Sequence, residues 1–171
     1  MRGFYRGCCQ RRLTVLINIH YLAKNSYFYF YLSGITDRDI KVKFDTGAGA
    51  TIITSKALGM NSIQSEHITE YINKKGIEKR VFKSATDTEF CGYLCRCTDV
   101  KLNDVLIEKF YFYLVLNDSL NKALLGDDFI SYCTFSHQSR SDIYITAIDM
   151  NLYALSYGNK IDCINIDEVM I

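Results

Sequence analysis

The 171-residue chain reads as an all-β domain with one or two short helices. Two observations point there. Stretches in which apolar and polar residues alternate, the period of a strand with one face on a core, recur along the chain between short polar or Gly-containing turns. The composition agrees: Tyr (13) and Phe (10) are plentiful, Ile is frequent, and Pro and Trp are absent. The length predicts one domain with a real core, at roughly 100 to 200 residues per domain. Lys and Arg (20) nearly match Asp and Glu (19), so the chain has no electrostatic footprint for nucleic acid, and none is expected as a partner.

The chain opens with Arg2, Arg6, Arg11 and Arg12 around adjacent Cys8 and Cys9, followed by an apolar stretch over 13–23. A charged start and an apolar middle have the outline of a signal peptide, but Asn18 and His20 interrupt it. Val15, Ile17, Ile19 and Tyr21 alternate with Thr14, Leu16, Asn18 and His20, which favours a strand, and the stretch is too short to span a bilayer. Cys8 and Cys9 beside basic residues are alternatively acyl acceptors, and a frayed start is the default. Residues 1–25 are therefore expected to be a basic segment with a strand available for an interface, 26–157 the folded domain, and 158–171 a polar tail. A membrane partner is not expected.

Residues 27–32 read as a strand, 33–39 as its turn and 40–44 as the returning strand, in which Val42 and Phe44 alternate with Lys41 and Lys43. Asp45 emerges at the end of that strand, in the sequence Phe44-Asp45-Thr46-Gly47-Ala48-Gly49-Ala50-Thr51. A carboxylate there is held rigidly. Thr46 can hydrogen-bond backbone or a neighbouring chain, and Gly47 permits a positive φ and a close backbone approach. Residues 51–53 should be the outgoing strand and 54–60 a helix of one or two turns, capped by Thr54 or Ser55. Residues 61–80 read as polar, irregular loops. Residues 100–107 and 110–116 alternate as strands, with a turn at Asn103-Asp104. Ala123-Leu124-Leu125-Gly126-Asp127-Asp128-Phe129-Ile130 follows, with Asp127 and Asp128 at a helix start, where carboxylates complement the dipole. Residues 143–154 read as one or two strands.

The Asp45 loop resembles the active-site loop of aspartic proteases: a hydrophobic residue, Asp-Thr/Ser-Gly-Ala/Ser, two residues and Thr/Ser, matched from Phe44 to Thr51. Asp-Thr-Gly alone is weak, but residues 123–130 resemble the family's second element, two apolar residues, Gly, two variable residues and two apolar ones. With one such loop and no internal repeat, the chain resembles the retropepsin-like branch, in which each subunit contributes one Asp. The resemblance implies a closed β-barrel or sandwich with a flap hairpin, and a homodimer in which two copies of Asp45 share a proton and activate water against a peptide bond. Asp45 is then base in one subunit and acid in the other, Thr46 braces the paired loops, Gly47 accepts the close approach, Ala48 lines the site, and Gly126 packs behind the loop. Residues 81–94 lie where the family carries its flap, with Ala85, Thr86, Asp87 and Thr88 at the tip and in reach of substrate. The tip has no Gly, a departure from many retropepsins; the next Gly is Gly92. A noncatalytic binding or assembly module that keeps the fold is the alternative.

Other chemistries find no motif. The seven cysteines, Cys8, Cys9, Cys91, Cys95, Cys97, Cys133 and Cys163, are odd in number, which argues for reduced thiols in a cytoplasmic protein. Cys91, Cys95 and Cys97 share a strand parity without a zinc knuckle, and no metal or cofactor is expected. His20, His67 and His137 are scattered, with no G-x-S-x-G, H-E-x-x-H or phosphate-cradling glycine motif.

Overall fold

The computed structural model describes residues 12–13, 17–18, 21–22, 27–103, 105–117, 119–139, 142–158 and 162–169. The strands are β1 (Arg12–Leu13), β2 (Ile17–Asn18), β3 (Tyr21–Leu22), β4 (Tyr27–Ser33), β5 (Ile40–Phe44), β6 (Ile52–Thr54), β7 (Lys79–Lys83), β8 (Glu89–Leu102), β9 (Val105–Val115), β10 (Ala123–Leu125), β11 (Cys133–Ser139), β12 (Asp142–Asp149) and β13 (Ile164–Asn165). The helices are α1 (Ser55–Leu58), α2 (Ser62–Lys75), α3 (Asp127–Ile130), α4 (Met150–Tyr157) and α5 (Ile166–Val169). The protein is mostly β, as expected, with more helix than expected.

Strands β8, β9, β6, β10, β5 and β4 pair in that order, and β4 returns to β8 through Leu32↔Leu102 and Ser33↔Lys101, closing a six-stranded barrel. Asn103 secures the closure: its side-chain oxygen accepts from the Tyr31 amide at 2.7 Å and its own amide donates to the Tyr31 carbonyl at 2.9 Å. Closure removes the exposed sheet edges that β4 and β8 would otherwise present. Phe30, Leu32, Val42, Ile53, Val100, Leu102, Ile107, Phe110, Phe112 and Leu114 fill the interior. Strands β11 and β12 form a second sheet, to which β1 and β2 add.

Three sequence expectations are corrected. Residues 61–80 are not irregular: α2 occupies 62–75, started by a capping box in which the Asn61 side chain accepts from the Gln64 amide (2.8 Å) and the Gln64 side chain from the Asn61 amide (3.0 Å). Ile68 and Ile72, one turn apart, are its buried residues, and Gly76 at φ 65° ends it. Residues 143–154 are not all strand. The Asp149 carboxylate accepts from the Leu152 amide at 3.1 Å and starts α4, whose Tyr153 and Tyr157 turn inward. The stretch read as a polar tail carries β13 and α5, with Ile164, Ile166 and Val169 buried; β13 pairs in parallel with β8, and the Asp167 carboxylate accepts from the Thr98 amide (3.2 Å) and hydroxyl (2.7 Å). Cys8, Cys9 and most of the 13–23 stretch lie outside the described residues, and Arg12–Leu13 at its start and Ile17–Asn18 and Tyr21–Leu22 within it are strand.

Cys95, Cys97 and Tyr153 are fully buried, and burial pushes these thiols and this phenol upward from ordinary values of 9.0 and 10.0. Cys133 is pushed up to about 12 for the same reason. In the unfolded chain these groups release protons at their ordinary values, while the folded chain retains them. Stability is thus fully present below the unfolded values and declines as pH rises through them toward the folded ones. A Tm that is level from pH 7 to 8 and falls steadily above about pH 9, followed by circular dichroism, is the expected result.

Candidate active site

Asp45 sits where β5 leaves the barrel, and the backbone on both sides of it is tied down. The Asp45 amide donates to the Leu125 carbonyl at 3.0 Å, extending the parallel pairing of β5 with β10 by one residue beyond Phe44↔Leu125. The Ala48 amide donates back to the Asp45 carbonyl at 3.2 Å, closing the turn, and the Asp127 amide donates to the Ala48 carbonyl at 2.7 Å. The carboxylate accepts from the Gly47 amide through Oδ1 at 3.0 Å, and Lys43 Nζ stands 3.8 Å from Oδ2. Its side chain is 30% exposed, so the acid is positioned yet open to solvent. Thr46 and Gly47 are exposed and Ala48 is half-buried.

Gly47 does not adopt a positive φ; the glycines that do are Gly34, Gly59 and Gly76. Space explains it instead. A Cβ there would stand 3.3 Å from Asp45 Oδ1, crowding the carboxylate against which the Gly47 amide is aimed.

Gly126 lies against the loop more tightly still. A Cβ on it would fall 2.9 Å from the Ala50 nitrogen and closer to the Ala50 carbonyl. This contact, together with the amide bonds from Asp45 to Leu125 and from Asp127 to Ala48, joins residues 125–127 to the loop as one unit.

Behind the loop lies a buried polar network that the motif reading did not anticipate. Thr51 is fully buried; its hydroxyl donates to Asp128 Oδ1 at 2.7 Å and accepts from the Gly126 amide at 3.1 Å, while its amide donates to Asp128 Oδ2 at 3.0 Å. The Tyr157 hydroxyl reaches Oδ2 at 2.6 Å from α4. Asp128 is therefore a strut between the two halves of the loop assembly rather than only a dipole-complementing helix-start residue. Thr51 and Asp128 both stood inside quoted motifs, but their pairing needs the tertiary fold. Thr51→Val, which keeps the shape and removes the hydroxyl, leaves the Gly126 amide and a carboxylate oxygen short of a partner. A loss of about 2–3 kcal/mol in urea unfolding, with an unchanged m-value, is expected.

The β7–β8 hairpin stands where the flap was expected, paired from Lys79↔Tyr93 to Lys83↔Glu89. Its tip needs one residue in the left-handed region, and Asp87 at φ 62° supplies it in place of Gly. The Ser84 amide donates to the Thr88 carbonyl (2.9 Å), the Asp87 amide to the Ser84 carbonyl (3.0 Å), and Lys83 pairs with Asp87 at 3.7 Å. These contacts of Ala85, Thr86 and Asp87 and their neighbours are internal to the hairpin; among the described residues no hydrogen bond or ion pair joins the tip to residues 45–50. The base is anchored. Arg80 stacks over Phe82 and Tyr113 and donates to the Tyr113 hydroxyl at 3.2 Å, and Gly92 makes room for Phe82, which a Cβ would meet at 3.1 Å.

Among the described residues no group of three or more His, Cys, Asp or Glu side chains converges as a metal site would, and no helix is long and apolar enough to cross a membrane. No family model matches the sequence, and no curated protein is significantly similar to it. Among solved structures, the chain is similar to a retropepsin-like aspartic protease from Rickettsia conorii, at 17% identity over 80% of this chain and 95% of that one, with a TM-score of 0.46.

Proposed function

We infer that this chain is one half of a dimeric aspartic endopeptidase, with Asp45 supplying one carboxylate of a pair completed by a second copy. The observation that carries this reading is the Asp45 turn: a half-buried carboxylate that still reaches solvent at a strand end, oriented by the Gly47 amide and braced through Leu125, Gly126 and Asp127. So much local order around an acid that makes little contribution to the core is what a reacting group requires and a surface acid does not.

In the dimer, two Asp45 side chains meet across a two-fold axis and hold one proton between them, because like charges at that distance do not both ionise. The ionised carboxylate takes a proton from water as its oxygen attacks the peptide carbonyl carbon. The protonated one donates to the carbonyl oxygen, giving a neutral gem-diol. Collapse of the diol breaks the C–N bond as a proton passes to the leaving nitrogen, and the dyad returns to its starting charge. Thr46 braces the facing loops, Ala48 lines the site, and the hairpin tip at Ala85, Thr86 and Asp87 covers an extended substrate.

Dimer-dependent activity is the test. On diluting the full chain through its dimer dissociation range, specific activity on a permissive peptide library should fall in step with the dimer fraction measured by sedimentation. Activity that stays proportional to total chain in the monomer regime rejects the paired-acid reading. A chain that is dimeric and cleaves nothing returns it to a binding or assembly module.

A further inference from the structure

Beside the Asp45 loop the barrel carries a cleft of about 490 Å³, a volume suited to a side chain or a small ligand. Its wall is cationic: Arg38, Lys41, Lys43 and Lys122 line it against a single acid, Asp39. In a chain whose positive and negative residues number 20 and 19, four cations to one carboxylate in one concavity is a strong local departure.

The sheet explains how they gather. Lys41 and Lys43 alternate with buried Ile40 and Val42 on β5, so both point away from the core. The parallel register Lys43↔Leu124 brings Lys122, just before β10, to the same side. Arg38 is fixed from the far side, donating to the Ala57 carbonyl at 3.0 Å and packing against Gly59. Lys41 Nζ rests 4.4 Å above the Tyr29 ring. Among the described residues Arg38, Lys41 and Lys122 form no ion pair with a carboxylate. Lys43 joins the cleft to the loop, because it lines the one and its Nζ stands 3.8 Å from Asp45 Oδ2 in the other.

We propose that this cleft is a side-chain subsite which selects an Asp or Glu residue in the peptide presented to Asp45. The inference rests on the protease reading for the word substrate, but the cleft's affinity for a peptide carboxylate is measurable without cleavage. An extended peptide running past the loop places alternate side chains toward the barrel wall, and the one beside the scissile bond meets Lys43 first, with Lys122 and Lys41 beyond it. Arg38, held by a backbone carbonyl, offers its remaining N–H donors at little entropic cost. Since the cations are partly solvated, each contact contributes modestly and the preference comes from several acting together.

The test uses the full chain carrying Asp45→Asn and three versions of one fluorescent peptide library, with Glu, Gln or Lys at the varied position, read by anisotropy. The Glu peptides should bind about ten- to a hundredfold tighter than the Gln peptides, with the difference shrinking at about 0.5 M salt. Adding Lys41→Glu and Lys122→Glu in the same background should remove that preference and favour the Lys peptides. Equal binding of the three versions overturns the proposal, as does a Glu preference that survives the double substitution in a chain with unchanged circular dichroism. Tighter binding of a single-stranded oligonucleotide than of the Glu peptides overturns it too, by making the cleft a phosphate-backbone site. The two readings separate cleanly. Glu selectivity in a chain whose unsubstituted form cleaves nothing keeps the cleft and removes the protease, whereas equal cleavage of Glu and Gln peptides keeps the protease and removes the subsite.

Discussion

Asp45→Asn is expected to lower peptide cleavage by at least about a thousandfold while leaving Tm, secondary structure and dimer fraction unchanged. Removing a group that both takes and gives protons forfeits general acid–base catalysis, worth about 10²- to 10⁴-fold, together with the polarisation of water by the charged partner. The fold should not notice. Asn keeps an oxygen where Oδ1 accepts from the Gly47 amide, and among the described residues the only charge partner lost is Lys43, at 3.8 Å in a partly solvated pair, a contact of little weight in stability. The substituted chain should also lose inhibition by a statine-type transition-state mimic, because the hydroxyl of such a mimic needs the shared proton. Retained cleavage moves the chemistry to another residue.

Gly126→Ala is expected to destabilise the protein by about 3 kcal/mol or more, through overpacking rather than backbone strain. At Gly126 φ is −98° and ψ −178°, extended backbone that alanine adopts freely. The added methyl instead runs into the Ala50 backbone, and backbone held on both sides cannot yield as a flexible side chain does. Relaxation would have to separate residues 125–127 from the Asp45 loop, breaking the Asp45–Leu125 and Ala48–Asp127 bonds and the Thr51 hydroxyl's hold on the Gly126 amide. Gly49→Ala is the control: nothing lies within 4 Å of its added carbon, so its stability should stay within about 0.5 kcal/mol of the parent. Urea unfolding of the two variants side by side checks both. Equal stabilities would mean that Gly126 does not clamp the loop.

The elements that position the loop were legible because local chemistry and tertiary context agree there. Ile40–Phe44 alternates cleanly, Thr54 caps α1 by accepting from the Ala57 amide at 3.2 Å, and the turn at Asn103 and the hairpin tip at 85–88 fall where polar residues interrupt apolar alternation. Helix α2 was missed because Ile68 and Ile72 are all it buries, too little apolar surface to set a helical period against Glu66, Glu70, Lys74 and Lys75. Its signal lay at the ends, in Asn61 with Gln64 three residues on and in Gly76 after the last turn. In α4, Tyr153 and Tyr157 carry a strand propensity, and the cap at Asp149 together with the aromatic packing of Tyr153 on Phe129 and Tyr157 on Tyr111 decides for helix. The C-terminal residues read as a tail because Ile164, Ile166 and Val169 are spread among polar neighbours, and only pairing with β8 gives them a common inner face.

The candidate site divides in the same way. Asp45 and its flanking residues form a contiguous signature, and Gly126 belongs to a second one. The link between them through Thr51, Asp128 and Tyr157 spans the chain, and no spacing rule couples those positions. The basic cleft is not legible in the sequence for a related reason. Net charge averages over the whole surface, whereas the β5–β10 register is what collects Lys43 and Lys122 on one wall.

A crystal structure of the full chain in its solution assembly would measure the separation of the two Asp45 carboxylates. Paired aspartates predict inner oxygens about 3 Å apart across a two-fold axis, both within hydrogen-bonding reach of one water. Carboxylates more than about 8 Å apart in a dimer confirmed in solution, a gap that one water with hydrogen bonds of about 3 Å cannot bridge, would contradict the shared-proton mechanism.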